Sequence, residues 1–182
     1  MKKLLLISLL LALAAPGPAP AKEKSMEKTR ELVSAFASFK APEGWTRKDY
    51  SEQGDPQLKL EKGLHAINVR LAGGAGSRYK SAAEFLAGFE ARSLGGKPAE
   101  KADTASAAGG KVLIYRRQVP LDLPPPDESG PAATVPQEFC AVQAGKRFFI
   151  LTYSYADALP DPSYDGKKAW REFLKSFRVK KR

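Results

Sequence analysis

The sequence predicts an α+β fold, in which short alternating strands build a sheet and amphipathic helices cover it. Three observations carry this. From Gln57 to Leu71, apolar Leu58, Leu60, Ile67, Val69 and Leu71 alternate with polar residues around a Lys62-Gly63 turn, the pattern of a hairpin with one apolar face. Phe139–Val142 and Arg147–Tyr155 read as two further strands joined by the Ala144-Gly145-Lys146 turn. Trp170, Phe173, Leu174 and Phe177 then fall at i, i+3, i+4 and i+7, a single apolar stripe that needs a sheet to cover.

The N-terminus sets the compartment. Lys2 and Lys3 precede an apolar run, Leu4–Ala14, broken only by Ser8, and a small-residue and proline stretch, Ala15–Ala21. This is the three-part layout of a secretory signal peptide. The apolar run, about eleven residues, is well short of the roughly 20 that span a bilayer as a helix. Ala19-Pro20-Ala21 supplies an A-x-A site, which assigns residues 1–21 to the signal and the mature start to Lys22. Cleavage after Ala14 is the second choice, and an uncleaved anchor the third. The expectation is export, to the periplasm or beyond.

Charge and cysteine content follow from that. The chain carries +10, and the two leader lysines reduce the mature value to +8. Arg178, Lys180, Lys181 and Arg182 crowd the last five residues, so the body is only mildly basic. Such a tail is expected to be solvated or to touch an anionic lipid or cell-wall surface; for an exported chain, nucleic acid is not the expected partner. Cys140 is the single cysteine, so no internal disulfide forms and packing must carry stability. Its place inside a strand predicts a buried, inert thiol.

Along the mature chain, residues 22–38 form a helical lead-in, with Glu27–Phe36 as its amphipathic helix, and residues 39–182 form one domain. Pro42 and Gly44 mark a turn, and Gly54-Asp55-Pro56 marks the next. Ala72–Arg78 is a glycine-rich loop. Ser81 and Glu84 have capping-box spacing and start a helix expected to bury Phe85, Leu86, Phe89 and Leu94 before stopping at Gly95-Gly96. Pro98–Gly110 is a polar connection with room for a short strand, and Lys111–Val119 is a strand. Leu121–Pro136 holds five prolines and no periodicity, and reads as a long surface loop.

The chemistry-bearing residues do not assemble into a motif. Gly73-Gly-Ala-Gly-Ser-Arg-Tyr-Lys-Ser81 approaches a P-loop at Lys80-Ser81, but Tyr79 stands where the glycine before the lysine must be, and it blocks a dinucleotide fingerprint too. His65 is the only histidine, which excludes multi-histidine metal sites and makes any Ser-His or Cys-His pair depend on it; its alternating strand makes it a half-buried sheet residue. Asp157, Asp161 and Asp165 are spaced by four, unlike a calcium loop, and Asp161-Pro162 reads as a helix N-cap with proline at the first helical position. Arg116 and Arg117 are strand neighbours facing opposite sides, so at most one lines a given pocket. Leu123-Pro-Pro-Pro126 reads as a stiff loop or a polyproline ligand. No catalytic, cofactor-binding or metal-binding residue is assigned, and no cofactor is expected.

Glu138-Phe-Cys-Ala-Val142, Arg147-Phe-Phe-Ile-Leu-Thr-Tyr-Ser154 and Ala169-Trp-Arg-Glu-Phe-Leu-Lys-Ser-Phe177 together resemble the closing strands and helix of the PsbP-like group, with its Mog-type and bacterial DcrB-like members. Ala41-Pro-Glu-Gly-Trp45, the Ile67–Leu71 strand and the Ser81–Leu94 helix fall in that fold's order, so the resemblance spans about Phe39–Val179. It implies a central antiparallel sheet with helices on both faces, an α/β/α sandwich, and a non-enzymatic binding or assembly role. The expected function is a non-catalytic binding or interaction module of the bacterial envelope, with an unknown envelope protein or small ligand as partner. A small-ligand or lipid carrier with a pocket between sheet and helix is the alternative, and an envelope hydrolase is third.

Overall fold

The computed structural model describes residues 20–52, 54–120, 134–155 and 164–181, with side chains from residue 28 onward except 50–52. The expected signal segment up to residue 19, the Leu123–Pro126 run, and Asp157 with Asp161-Pro162 lie outside the described residues. Helix α1 (Pro20–Phe36) leads through β1 (Ala37–Ser38) to β2 (Thr46–Glu52), β3 (Asp55–Lys62) and β4 (His65–Ala72). A short α2 (Ala82–Ala87) and two 3-10 turns, Phe89–Ala91 and Leu94–Gly96, come next. Strands β5 (Glu100–Ala107), β6 (Gly110–Pro120), β7 (Thr134–Ala144) and β8 (Arg147–Tyr155) precede α3 (Gly166–Ser176) and β9 (Arg178–Val179).

The fold is α+β. Seven strands pair antiparallel in the order β2-β3-β4-β8-β7-β6-β5, and β1 pairs with β9 apart from them. The hairpin expected from alternation is β3–β4, with Leu60 opposite Ile67 and Leu58 opposite Val69; Gly63 takes the positive φ of +56° that its tight turn requires.

Because strand side chains alternate, the sheet has two different faces. One carries Leu58, Leu60, Ile67, Val69, Cys140, Val142, Phe149 and Leu151, which pack under α1 through Val33 and under α3 through Trp170, Phe173, Leu174 and Phe177. Each of those four side chains, three on α3 and Phe177 at its C-cap, is almost wholly buried, and burying one such group stabilises by about 1.5–3 kcal/mol. Asp165 begins α3, its carboxylate accepting from Lys168 N–H at 2.9 Å. The other face carries Phe139, Phe148 and Ile150, covered by Tyr79, Phe85 and Ala91 from the α2 region. Beside this cluster the same face turns polar, with Gln57, Asn68, Arg70, Arg117, Gln137 and Thr152 around one cleft.

Several sequence expectations need correction. Helix α1 starts at Pro20 and not at Glu27, so it begins before the expected cleavage point. The Ser81–Leu94 helix ends at Ala87, because Gly88 turns to an extended ψ of 167° and the Tyr79 ring lies where a Cβ would stand, 2.6 Å away. Phe89 and Leu94, expected to be buried, are 73% and 50% exposed. Pro98–Gly110 contains the full eight-residue edge strand β5. The proline loop is shorter than Leu121–Pro136, since β7 already begins at Thr134. Pro136 is tolerated opposite Gln118 because it lies one residue outside the β7–β8 register, which starts at Gln137 and Ser154.

Candidate functional site

The polar half of the second face forms a cleft of about 260 Å³ under the α2 region. Alternation on five strands builds it. Strand β3 contributes Gln57, β4 Asn68 and Arg70, β8 Ile150 and Thr152, β7 Gln137 and β6 Arg117. Cross-strand register brings them into rows, Gln57 opposite Arg70, Asn68 opposite Thr152 and Arg117 opposite Gln137. Phe85 of α2 and Glu90 of the following 3-10 turn close it from above. The break at Gly88 is what swings Glu90 down to the sheet.

Arg70 is the hub. Its Nε donates to Asp55 Oδ2 at 3.0 Å and its Nη1 to Glu90 Oε2 at 2.8 Å. Burial opposes the charge of this guanidinium, but Glu90 and Asp55 together outweigh it and raise its pKa. Arg78 adds a longer contact to Glu90 Oε1 at 3.3 Å. Arg70 Nη2 and Asp55 Oδ1 are buried and have no hydrogen-bond partner among the described residues.

Arg117 is held differently. Its Nε donates to the neutral Gln137 Oε1 at 2.8 Å, and its guanidinium lies 4.8 Å from the centre of the Phe139 ring. No ion pair among the described residues includes it. Burial pulls its pKa down to about 10, with Glu90 favouring the charge and Arg70 opposing it. At neutral pH the group remains a cation, partly stripped of water and contacted by a carboxamide and an aromatic face, with no carboxylate paired to it among the described residues. An anion in the cleft would complete it. The rest of the lining suits hydrogen bonding: Asn68 Nδ2 donates to Thr152 Oγ1 at 3.2 Å. The volume lies just below the roughly 300–1,000 Å³ typical of drug-sized ligands, so the cleft fits a small polar molecule.

The residues singled out in the sequence separate. Arg117 lines the cleft, whereas Arg116 points to the α3 face, 3.3 Å from Glu138, which Arg171 of α3 also approaches at 3.3 Å. His65 is on that same α3 face. Its Nδ1 lies 3.0 Å from Tyr153 Oη, a tyrosine and not a serine or cysteine, within a cluster that includes Trp45 and Tyr164. Trp45 Nε1 donates to Tyr164 Oη, and burial raises the Tyr153 phenol. The P-loop near-miss is a self-tied loop: Lys80 Nζ donates to the carbonyls of Gly74, Ala75 and Ser77 at 3.1, 2.8 and 2.8 Å. Ser81 Oγ accepts from Glu84 N–H at 3.1 Å, while the Glu84 carboxylate accepts from Lys80 N–H at 2.7 Å. Cys140 is buried in the core, its thiol pushed up to about 12 by burial. The basic tail is partly structural, since β9 pairs with β1 and Lys180 Nζ donates to Ser34 O at 2.6 Å. Among the described residues, no group of His, Cys, Asp and Glu suits a metal ion, and no helix is long and apolar enough to cross a membrane.

Sequence reasoning missed Gln57, Asn68, Arg70, Glu90, Gln137 and Thr152. The available signal was Asn68 and Arg70 alternating with the apolar side of β4, a pattern that also describes an ordinary solvent face.

No family model and no curated protein matches the chain. Among solved structures, a crystal structure from Bacteroides thetaiotaomicron is similar at a TM-score of 0.49 and 10% identity, over 81% of this chain and 46% of that one. The chain therefore spans less than half the length of that solved structure.

Proposed function

We propose that this chain is a non-catalytic binding module of the bacterial envelope that holds a small anionic ligand in the cleft between the sheet and α2. The carrying observation is Arg117, a desolvated guanidinium matched by a neutral carboxamide, with Arg70 Nη2 unpartnered on the same face. The leader-like N-terminus supports the compartment, and the sequence resemblance to the PsbP-like group supports a binding role. This is the carrier reading with a changed cargo: the cleft is polar, which disfavours a lipid and favours a carboxylate or phosphate. Hydrolysis stays third, since His65 and the cleft occupy opposite faces of the sheet.

Native mass spectrometry of protein isolated from its own envelope tests the reading. A small anionic adduct is expected on the wild type and absent from Arg117→Gln. An adduct that survives Arg117→Gln, or none on either protein, counts against it. A protein partner is the second reading, favoured by Phe89 and Leu94 standing exposed on one short segment beside Glu90.

A further inference from the structure

We propose that the end of the molecule where β7 turns into β8 docks onto an anionic phospholipid bilayer. Two clefts lie side by side there. The larger, about 770 Å³, sets Lys146, Arg147, Lys180 and Lys181 around apolar Phe36, Ala144 and Val179. The smaller, about 560 Å³, adds Lys111, Lys175 and Arg178. The backbone joins them: Ala108 N–H donates to Phe177 O at 2.9 Å, and β9 pairs with β1, so the 108–110 turn, the end of α3 and the tail close one end of the fold.

The charge lining this end is of one sign. No residue lining either cleft is acidic, and none of the seven cations joins an ion pair among the described residues. Around Asp49 and Glu61, by contrast, cations are matched, Arg30 and Arg47 by Asp49, Lys48 and Lys59 by Glu61. Three of the seven are held in place, Arg147 with its guanidinium 5.0 Å from the centre of the Phe36 ring, Lys180 on Ser34 O, and Arg178 on the carbonyls of Lys175 and Phe177. A bilayer offers phosphates and acyl chain together, which matches cations set around an apolar floor. A polynucleotide matches less well, because Arg147 already covers the Phe36 ring where a base would stack.

Co-sedimentation of the full chain with vesicles tests this, comparing phosphatidylglycerol–phosphatidylethanolamine with pure phosphatidylcholine. Binding is expected to the anionic vesicles and to be lost in about 1 M NaCl, where screening is nearly complete. The variant K146E/K180E/K181E should lose on the order of 100-fold in partitioning, from roughly a tenfold effect or less per cation. A second variant, K111E/K175E, should weaken binding independently, and thermal melting confirms that both fold. The apolar N-terminal run is common to all proteins compared, so the difference reads this end alone; Arg117→Gln should bind vesicles as wild type does. Equal binding to neutral vesicles, wild-type binding by the triple variant, or tighter binding to a single-stranded oligonucleotide than to anionic vesicles would each overturn the proposal.

Discussion

Replacing Arg70 by Met is the sharpest test of the cleft's internal electrostatics. The arginine side chain is 11% exposed and its partner Asp55 only 1%. Methionine preserves most of the volume but strands a buried carboxylate that already has one oxygen unpartnered. Breaking such a pair from one side costs about 3–5 kcal/mol. Glu90 adds less, because Arg78 still reaches it. At a urea slope near 2 kcal/mol/M, the unfolding midpoint should fall by about 1.5–2.5 M. Removing both charges, in Arg70→Met with Asp55→Asn, should recover most of that loss, since no lone charge then remains buried. Urea titration followed by tryptophan fluorescence reads all the proteins. A single variant within about 1 kcal/mol of wild type, or a double variant no better than the single, would refute the argument.

Further predictions concern the core and the helix break. Gly88→Ala should destabilise by about 1–3 kcal/mol, because its Cβ would strike the Tyr79 ring. A helix continuing through residue 88 predicts the opposite sign, a gain of about 1 kcal/mol, so a thermal melt decides between them. Trp170→Ala should cost roughly 3–5 kcal/mol, since the indole stacks on Tyr153 and Phe173 at centroid distances of 5.9 and 5.8 Å. A loss under about 1 kcal/mol would mean that the α3 stripe is not core. The Cys140 thiol, raised from 9.0 to about 12, should resist alkylation until the protein unfolds. Its folded pKa lies above the unfolded value, so its contribution is complete below pH 9 and is lost as pH rises toward 12. Cys140→Ala should remove that part of the alkaline slope in urea titrations; an identical slope in both proteins would contradict the burial argument.

The parts of the fold legible in the sequence are those where burial repeats along one element. Leu58 to Leu71 gave a hairpin, and Trp170 to Phe177 gave α3, because each pattern reports one buried face at the period of its own backbone. The cleft was hidden for the converse reason. Arg117 and Gln137 lie 20 residues apart and Asn68 and Thr152 lie 84 apart, and each is one polar residue on an alternating strand. Only the strand order, β4 beside β8 beside β7, brings them together. Glu90 was hidden by Gly88, whose role is to let Tyr79 approach and not to end a periodic stretch. The length of β5 was missed because its burial is slight, with only Ala107 fully covered, so alternation left no apolar trace.

The central claim is that Arg117 recognises an anion on the second face of the sheet. The direct measurement is calorimetric titration of wild type, Arg117→Gln and Arg116→Gln with a panel of small carboxylates and inorganic phosphate. The neighbouring arginine is the control, being equally charged but pointing at α3. At least one anion should bind the wild type and Arg116→Gln alike, and bind Arg117→Gln about 10- to 150-fold more weakly, the worth of a charge-assisted hydrogen bond. Absence of binding across the panel, or equal loss in the two variants, would contradict the account.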